Sequence, residues 1–330
     1  MPLYDRIADL PIEVSDYVLE RHEVAVSSGW VRVSTVVVLR GAGVEGRGED
    51  ITYETPSQEA FQAAPRSDVA YLGSFDELSA RLAPFGDDYR RWAFESAALD
   101  LALRQAGRSL GDVLGREYRP VRFVISTRLD ARDWLAVDPQ LEFKLDPTTD
   151  WSDEYLRVLA ASGRVRCLDL KAYYTSTAVD SPPDERLYRA CVELFGDDAT
   201  IEDAWLRDGF GELFHGAEHR LSFDAPIHSV ADVEALPVAP QRLNIKPSRF
   251  GTARRLLEAI DHCEANGIAM FGGGQFELAV GRAHVQTLAS LFYADAPNDV
   301  APSVYNASKP AGGLPRSPLP APAAPRGLAG

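Results

Sequence analysis

Eight short apolar runs, several separated from the next by a helical stretch, constrain this chain more than any other feature. They read VRFVIST (121–127), LEFKLD (141–146), VRCLDLK (165–171), ATIEDAW (199–205), HRLSFDA (219–225), QRLNIKP (241–247), GIAMFGGG (267–274) and APSVYN (301–306). DEYLRVLAAS, PDERLYRACVELF, TARRLLEAIDHCEANG and GRAHVQTLASLF, which lie between them, have helical spacing. Strands that alternate with helices run parallel, because each crossover returns the chain to the same end of the sheet. Eight such units predict an α/β fold, a (β/α)7β barrel of the TIM type. An open doubly wound sheet is the alternative. No strand is followed by a G-x-G-x-x-G turn, and GGGQFE (272–277) lacks that spacing.

A different rhythm precedes the barrel. IEVSDYVLERHEVAV and VRVSTVVVLRG alternate or run apolar with β-branched residues, and GAGVEGRGED reads as turns, so an antiparallel meander is expected. Residues 87–115 follow with apolar positions at helical spacing and Gly107 where a stop belongs. The expected organisation is an α+β capping domain with a linking helix over 1–118, a barrel over 119–306, and a tail over 307–330. The tail carries six prolines and no acidic residue, which predicts disorder.

Composition narrows the function. The net charge is −15 with a pI near 4.9, and no basic block stands out, so nucleic acid is not an expected partner. No apolar run approaches the roughly 20 residues that span a bilayer, and the N-terminus has no signal-peptide pattern, so no membrane is expected and the cytoplasm is the expected compartment. Cys167, Cys191 and Cys263 are widely spaced and odd in number, signalling neither a disulfide framework nor a zinc site. His215, His219 and His228 lack H-E-x-x-H spacing and read as loop or pairing residues.

The strand ends carry the chemistry. Charged residues recur at Lys144, Asp169, Glu202, Asp224 and Lys246, with gaps of 25, 33, 22 and 22 residues, each one strand–helix unit. Groups so placed converge on the C-terminal mouth of a barrel. Singly, each reads as a solvated charge. Together, three carboxylates without a cation would repel one another and raise their own pKa values. An oxygen-only trio suits a hard ion such as Mg2+.

On these residues the chain resembles the enolase superfamily, in particular its muconate-lactonizing and o-succinylbenzoate-synthase-like branch, over nearly all of 10–306. FESAALDLALRQAGRSLGDVLG looks like the family's helix between cap and barrel, and FKLD is similar to its strand-two Lys-x-Lys motif. Asp169 in LDLK, Glu202 in IEDA and Asp224 in FDAP match the family's magnesium ligands, and Lys246 in NIKPSRFG its strand-six lysine. The resemblance implies a Mg2+-dependent lyase or isomerase in which Lys246 removes the proton α to a substrate carboxylate and the metal holds the resulting enediolate. The expected partner is a small-molecule carboxylate. Whether the chain forms a homo-oligomer is open.

Two positions depart from the pattern. Asp146 stands where the family has the second lysine, which weakens two-base racemisation in favour of β-elimination or cycloisomerisation. Asp146 can still move a proton or orient Lys144. Lys171 stands two residues after Asp169, where a small amide is usual, and can substitute for metal charge, weaken metal binding or act as a relocated base. These departures also motivate the alternative of a catalytically altered homologue that binds a ligand or partner. By resemblance, substrate specificity falls to 26–33 and 48–54 of the cap, with Trp30, Arg32 and Tyr53 as contacts, Arg32 suiting a distal carboxylate. Ser126 ends the first barrel strand and Glu277 matches an acidic residue of the seventh; both are candidate substrate contacts.

Overall fold

The computed structural model describes residues 1–25, 30–65, 67–174, 181–307, 309–323 and 325–328. Part of the segment expected to set specificity, 26–29, lies outside them.

Seven parallel strands form one sheet in sequence order: Ile125–Ser126, Phe143–Leu145, Val165–Asp169, Thr200–Glu202, Leu221–Phe223, Arg242–Ile245 and Ala269–Gly272. The sheet curls so that its two edges meet across residues 298–299. Phe123 pairs with Asn298 and Gly273 with Asp299, both parallel, so the eighth position of the barrel is held by two single bridges. That corrects one expectation, because APSVYN was read as the eighth strand. Its residues instead form a 3-10 turn, Ser303–Asn306, just beyond the closure. Pro302 at its start has no N–H to give a ladder. After the fourth strand the connection is made by 3-10 turns, Phe210–Phe214 and Glu218–Arg220, where an α-helix would be usual.

The N-terminal part is the expected α+β cap. Asp16–Ala25, Val31–Gly41 and Val44–Asp50 form an antiparallel sheet, and Pro11–Val14 pairs separately with Tyr71–Ser74. The sequence GAGVEGRGED, read as turns, turns only at Ala42 and Gly43 and then runs as the third strand. Its glycines serve packing. A Cβ on Gly48 would lie 2.0 Å from the Ala93 carbonyl oxygen, and one on Gly46 2.3 Å from that of Ala97. The long helix Asp88–Gln105 thus lies directly on the strand backbone.

Cap and barrel meet through buried polar groups that sequence reading did not foresee. Glu49, 2% exposed, accepts N–H bonds from Leu278 (2.7 Å), Ala279 (3.0 Å) and Gly281 (2.9 Å) at the start of helix Val280–Phe292. A carboxylate there satisfies free helix donors and faces the positive end of the helix dipole.

The tail does not fit the expected disorder among its described residues. Leu319 pairs with Val121 at the start of the first barrel strand, the Ser317 hydroxyl accepts from Phe123 N–H at 2.9 Å, and Leu328 is 1% exposed with its N–H on Asp100 at 2.8 Å. Proline restricts the unfolded chain as well as the folded one, so ordering this segment costs less entropy than its length suggests. The tail crosses the barrel at the end opposite the mouth.

Candidate active site

Every charged residue of the predicted series lies within one residue of the C-terminal end of its strand. Asp169, Glu202 and Asp224 are fully buried, and Lys144 and Lys246 are 2% and 6% exposed. Solvated surface pairs would not be, so these groups face one another inside the mouth.

Lys144 reaches from the second strand to the third and fourth, its Nζ 3.1 Å from Asp169 Oδ2 and in short contact with Glu202 Oε1. Glu202 also accepts from Asn244 Nδ2 at 3.1 and 3.2 Å and lies 3.5 Å from Cys167 Sγ. Lys246 sits across the mouth with Nζ 2.6 Å from Asp224 Oδ2, where the Tyr174 hydroxyl also donates at 2.9 Å; Arg249 Nε is 3.1 Å from the other oxygen. Lys171 adopts a left-handed backbone, φ 56°, uncommon for a residue with a Cβ, and turns back onto its own strand. Its ammonium makes a short contact with Asp169 Oδ2 and stands 3.5 Å from Asp146 Oδ1.

A residue outside the expected ligand set joins the cluster. Among the described residues, the acidic oxygens that lie within 4.8 Å of one another belong to Asp169, Glu202 and Asp203. Asp224, the expected third ligand, is not in this group, and its carboxylate pairs with Lys246 and Arg249. Asp203 directly follows Glu202 and has φ 53°. That turn aims its carboxylate at the N–H groups of Asp224 (2.8 Å) and Ala225 (3.0 Å). Alternation along a strand would have sent it to the opposite face, so the sequence offered no signal for it. Asn244, two residues before Lys246 and so on its face, was legible by the same rule. Arg249, Tyr174 and Asp299 were not singled out. Asp299, on the closing segment, is raised by burial and opposed by Lys144 and Lys246.

The charges do not balance evenly. Burial works against the charge of Asp169, but Lys144 and Lys171 outweigh it and hold the carboxylate low. Asp224 is likewise held low, Arg249 and Lys246 overcoming burial. Burial drives Glu202 up, and Asp169 and Asp224 add to that against Lys144. Asp203 is pushed up to about 7, by burial first and then by Asp224 and Asp169. For Lys144 and Lys171 burial lowers and neighbouring carboxylates raise; the carboxylates prevail, so both stay protonated. Positive charge is therefore short at Glu202 and Asp203. Buried, oxygen-only and deficient in positive charge, the cluster of Asp169, Glu202 and Asp203 has the donor chemistry of a hard divalent cation site.

The remaining candidates have contacts of their own. Ser126 is exposed at the rim. Arg32 is fully buried and spends its donors on backbone carbonyls, Thr52 at 2.8 Å, Ile51 at 2.5 Å and Phe276 at 3.4 Å, with its guanidinium 4.3 Å from the Tyr53 ring centre. Tyr53 donates to the Gln275 carbonyl at 3.2 Å, and Trp30 is 38% exposed on the cap. Glu277 accepts from Gln275 N–H at 2.7 Å and pairs with Arg282 at 3.0 Å.

Residues 117–307 match the family model described as "Domain of unknown function (DUF8230) C-terminal domain", and residues 5–113 match the corresponding N-terminal domain. The structure superposes on a dipeptide epimerase from Methylococcus capsulatus, complexed with Mg and the dipeptide L-Arg-D-Lys, with a TM-score of 0.70 at 20% identity, covering 88% of this chain and 90% of that one. Muconate cycloisomerase from Pseudomonas fluorescens gives 0.67 at 20% identity, with 88% of each chain covered. In sequence, an N-succinylamino acid racemase from an Amycolatopsis species is 29% identical over 303 residues, 84% of this chain and 81% of that protein. The chain belongs to the DUF8230 family, and its fold is that of the enolase superfamily it was expected to resemble. This DUF8230 protein thus carries a TIM-type barrel, a cap, and a buried acidic cluster at the mouth. None of its described helices is long and apolar enough to cross a membrane.

Proposed function

We propose that this protein removes the proton α to a carboxylate of a small-molecule substrate, with Lys246 as the base and Mg2+ held by Asp169, Glu202 and Asp203. The observation that carries this reading is a buried lysine at the end of the sixth strand, facing a cluster of buried carboxylates that is short of positive charge. A bound divalent cation supplies the charge that a carboxylate needs as it takes on a second negative charge. Lys246 accepts the proton at Nζ and must reach that step neutral; Asp224, itself held by Arg249 and Tyr174, fixes its position. Lys144, kept charged by Asp169 and Glu202, holds those carboxylates in place. Burial of the whole group excludes the water that would weaken each charge interaction.

The chemistry is one-sided. Across from Lys246, Asp146 stands where a second base would be needed, and it is tied to a lysine that stays protonated. We therefore favour β-elimination or cycloisomerisation over two-base racemisation, although two relatives carry the name N-succinylamino acid racemase. Trp30, Tyr53, Arg32, Ser126 and Glu277 are proposed as substrate contacts, Arg32 only if it gives up a backbone carbonyl to do so. The cap is assigned to 1–118 and the barrel to 119–306. Three unpaired cysteines suit the reducing cytoplasm, and a charge of −15 makes nucleic acid a poor partner.

A second reading, a homologue whose catalysis is altered and which binds a ligand or partner, draws on the short contact between Lys171 and Asp169. Proton exchange in D2O separates the two. Carboxylic acids, N-succinylamino acids among them, are incubated with the protein and followed by NMR. Loss of the α-proton signal with Mg2+ present, and its retention after chelation, supports catalysis. Retention for every acid, together with saturable binding of one of them, favours the second reading.

A further inference from the structure

The two departures from the family pattern face each other, and their contacts assign them one joint role. Lys171 Nζ lies on Asp169 Oδ2, an oxygen that also receives Lys144, and Asp169 belongs to the acidic cluster. On its other side, 3.5 Å away, is Asp146 Oδ1, which is buried and has no hydrogen-bond partner among the described residues. A buried carboxylate oxygen left without a donor costs free energy, and a flexible ammonium within reach can satisfy it. The side chain of Lys171 is tethered between two acceptors by a left-handed backbone that points it at both.

We propose that Lys171 is a tethered counter-cation with two positions. Without metal it neutralises Asp169, and a divalent cation at the cluster displaces it onto Asp146. The proposal rests on the reading of Asp169, Glu202 and Asp203 as a cation site. It makes metal binding a competition between a tethered monovalent charge and a free divalent one, won at higher metal concentration than a cluster without the lysine requires. Asp146 lowers that threshold by receiving the displaced ammonium. The pair thus sets metal affinity, and neither residue needs to touch substrate to do so.

The test is calorimetric titration of Mg2+ into the full-length protein and three variants: Lys171→Gln, Asp146→Asn and the double variant, each checked for folding by circular dichroism. Lys171→Gln is expected to bind Mg2+ about tenfold tighter or more, since it removes a competing charge within contact distance. Asp146→Asn is expected to bind more weakly than wild type, because the displaced ammonium has no acceptor. In the double variant the Asp146→Asn effect disappears, a coupling that two independent structural effects would not show. Equal affinity in wild type and Lys171→Gln overturns the proposal while leaving the cation site intact. Absence of Mg2+ binding in both removes the cation site and the proposal with it. If Lys171→Gln does not fold, Asp146→Asn decides alone, and affinity equal to or tighter than wild type counts against the exchange.

Discussion

Asp169 is the residue on which the mouth is built, because Lys144 and Lys171 both converge on its Oδ2. Removing its charge leaves two buried ammonium groups short of an acceptor, and breaking a buried ion pair from one side costs about 3–5 kcal/mol. Asp169→Asn is therefore expected to lower the unfolding free energy by about that amount in urea titration, besides weakening cation binding. No change in stability would mean the lysines find other partners. The individual charges were readable from sequence because each closes an apolar run, from LEFKLD to QRLNIK. Asp203 was not, since its placement depends on a positive φ immediately after the strand, and alternation pointed it the other way.

The elements hold the cap to the barrel by a few specific contacts. Glu49, which ends the cap sheet's last strand but one residue, serves as the N-terminal acceptor of helix Val280–Phe292. Glu49→Ala is expected to destabilise the protein by about 1–2 kcal/mol in chemical denaturation, the usual weight of a lost cap. Gly48→Ala is expected to cost more, about 3 kcal/mol, because the added Cβ meets the Ala93 carbonyl and two backbones must separate. The helices of the barrel were legible because their apolar period and capping residues agree, as at Ser152 before Asp153–Ser162 and Gly163 after it. The third cap strand was not. Its glycines have the composition of a turn, and only the helix lying on them reveals what they are for.

At the scale of the whole molecule, the mouth faces the cap and the tail crosses the far end. Deleting 309–330 removes the buried Leu328 and uncovers the edge at Val121, and is expected to lower the melting temperature without altering Mg2+ affinity. Cap and barrel also meet where Asp88, at the start of the long helix, lies 3.0 Å from His228 Nδ1. The Asp88 hydrogen bond raises the His228 pKa against burial, and the His228 hydrogen bond lowers that of Asp88. The pair's stabilisation is thus complete between about pH 4 and pH 6.5, the ordinary values of the two groups. It is lost as pH rises through the raised His228 value or falls through the lowered Asp88 value. The melting-temperature gap between wild type and His228→Gln should be widest in that window and shrink above it. The central claim, that Lys246 removes an α-proton at this mouth, is tested most directly by α-proton exchange in D2O. With Mg2+ and an acid that wild type exchanges, Lys246→Ala is expected to lose exchange by about 100-fold or more. Exchange at the wild-type rate in a folded Lys246→Ala protein would contradict it.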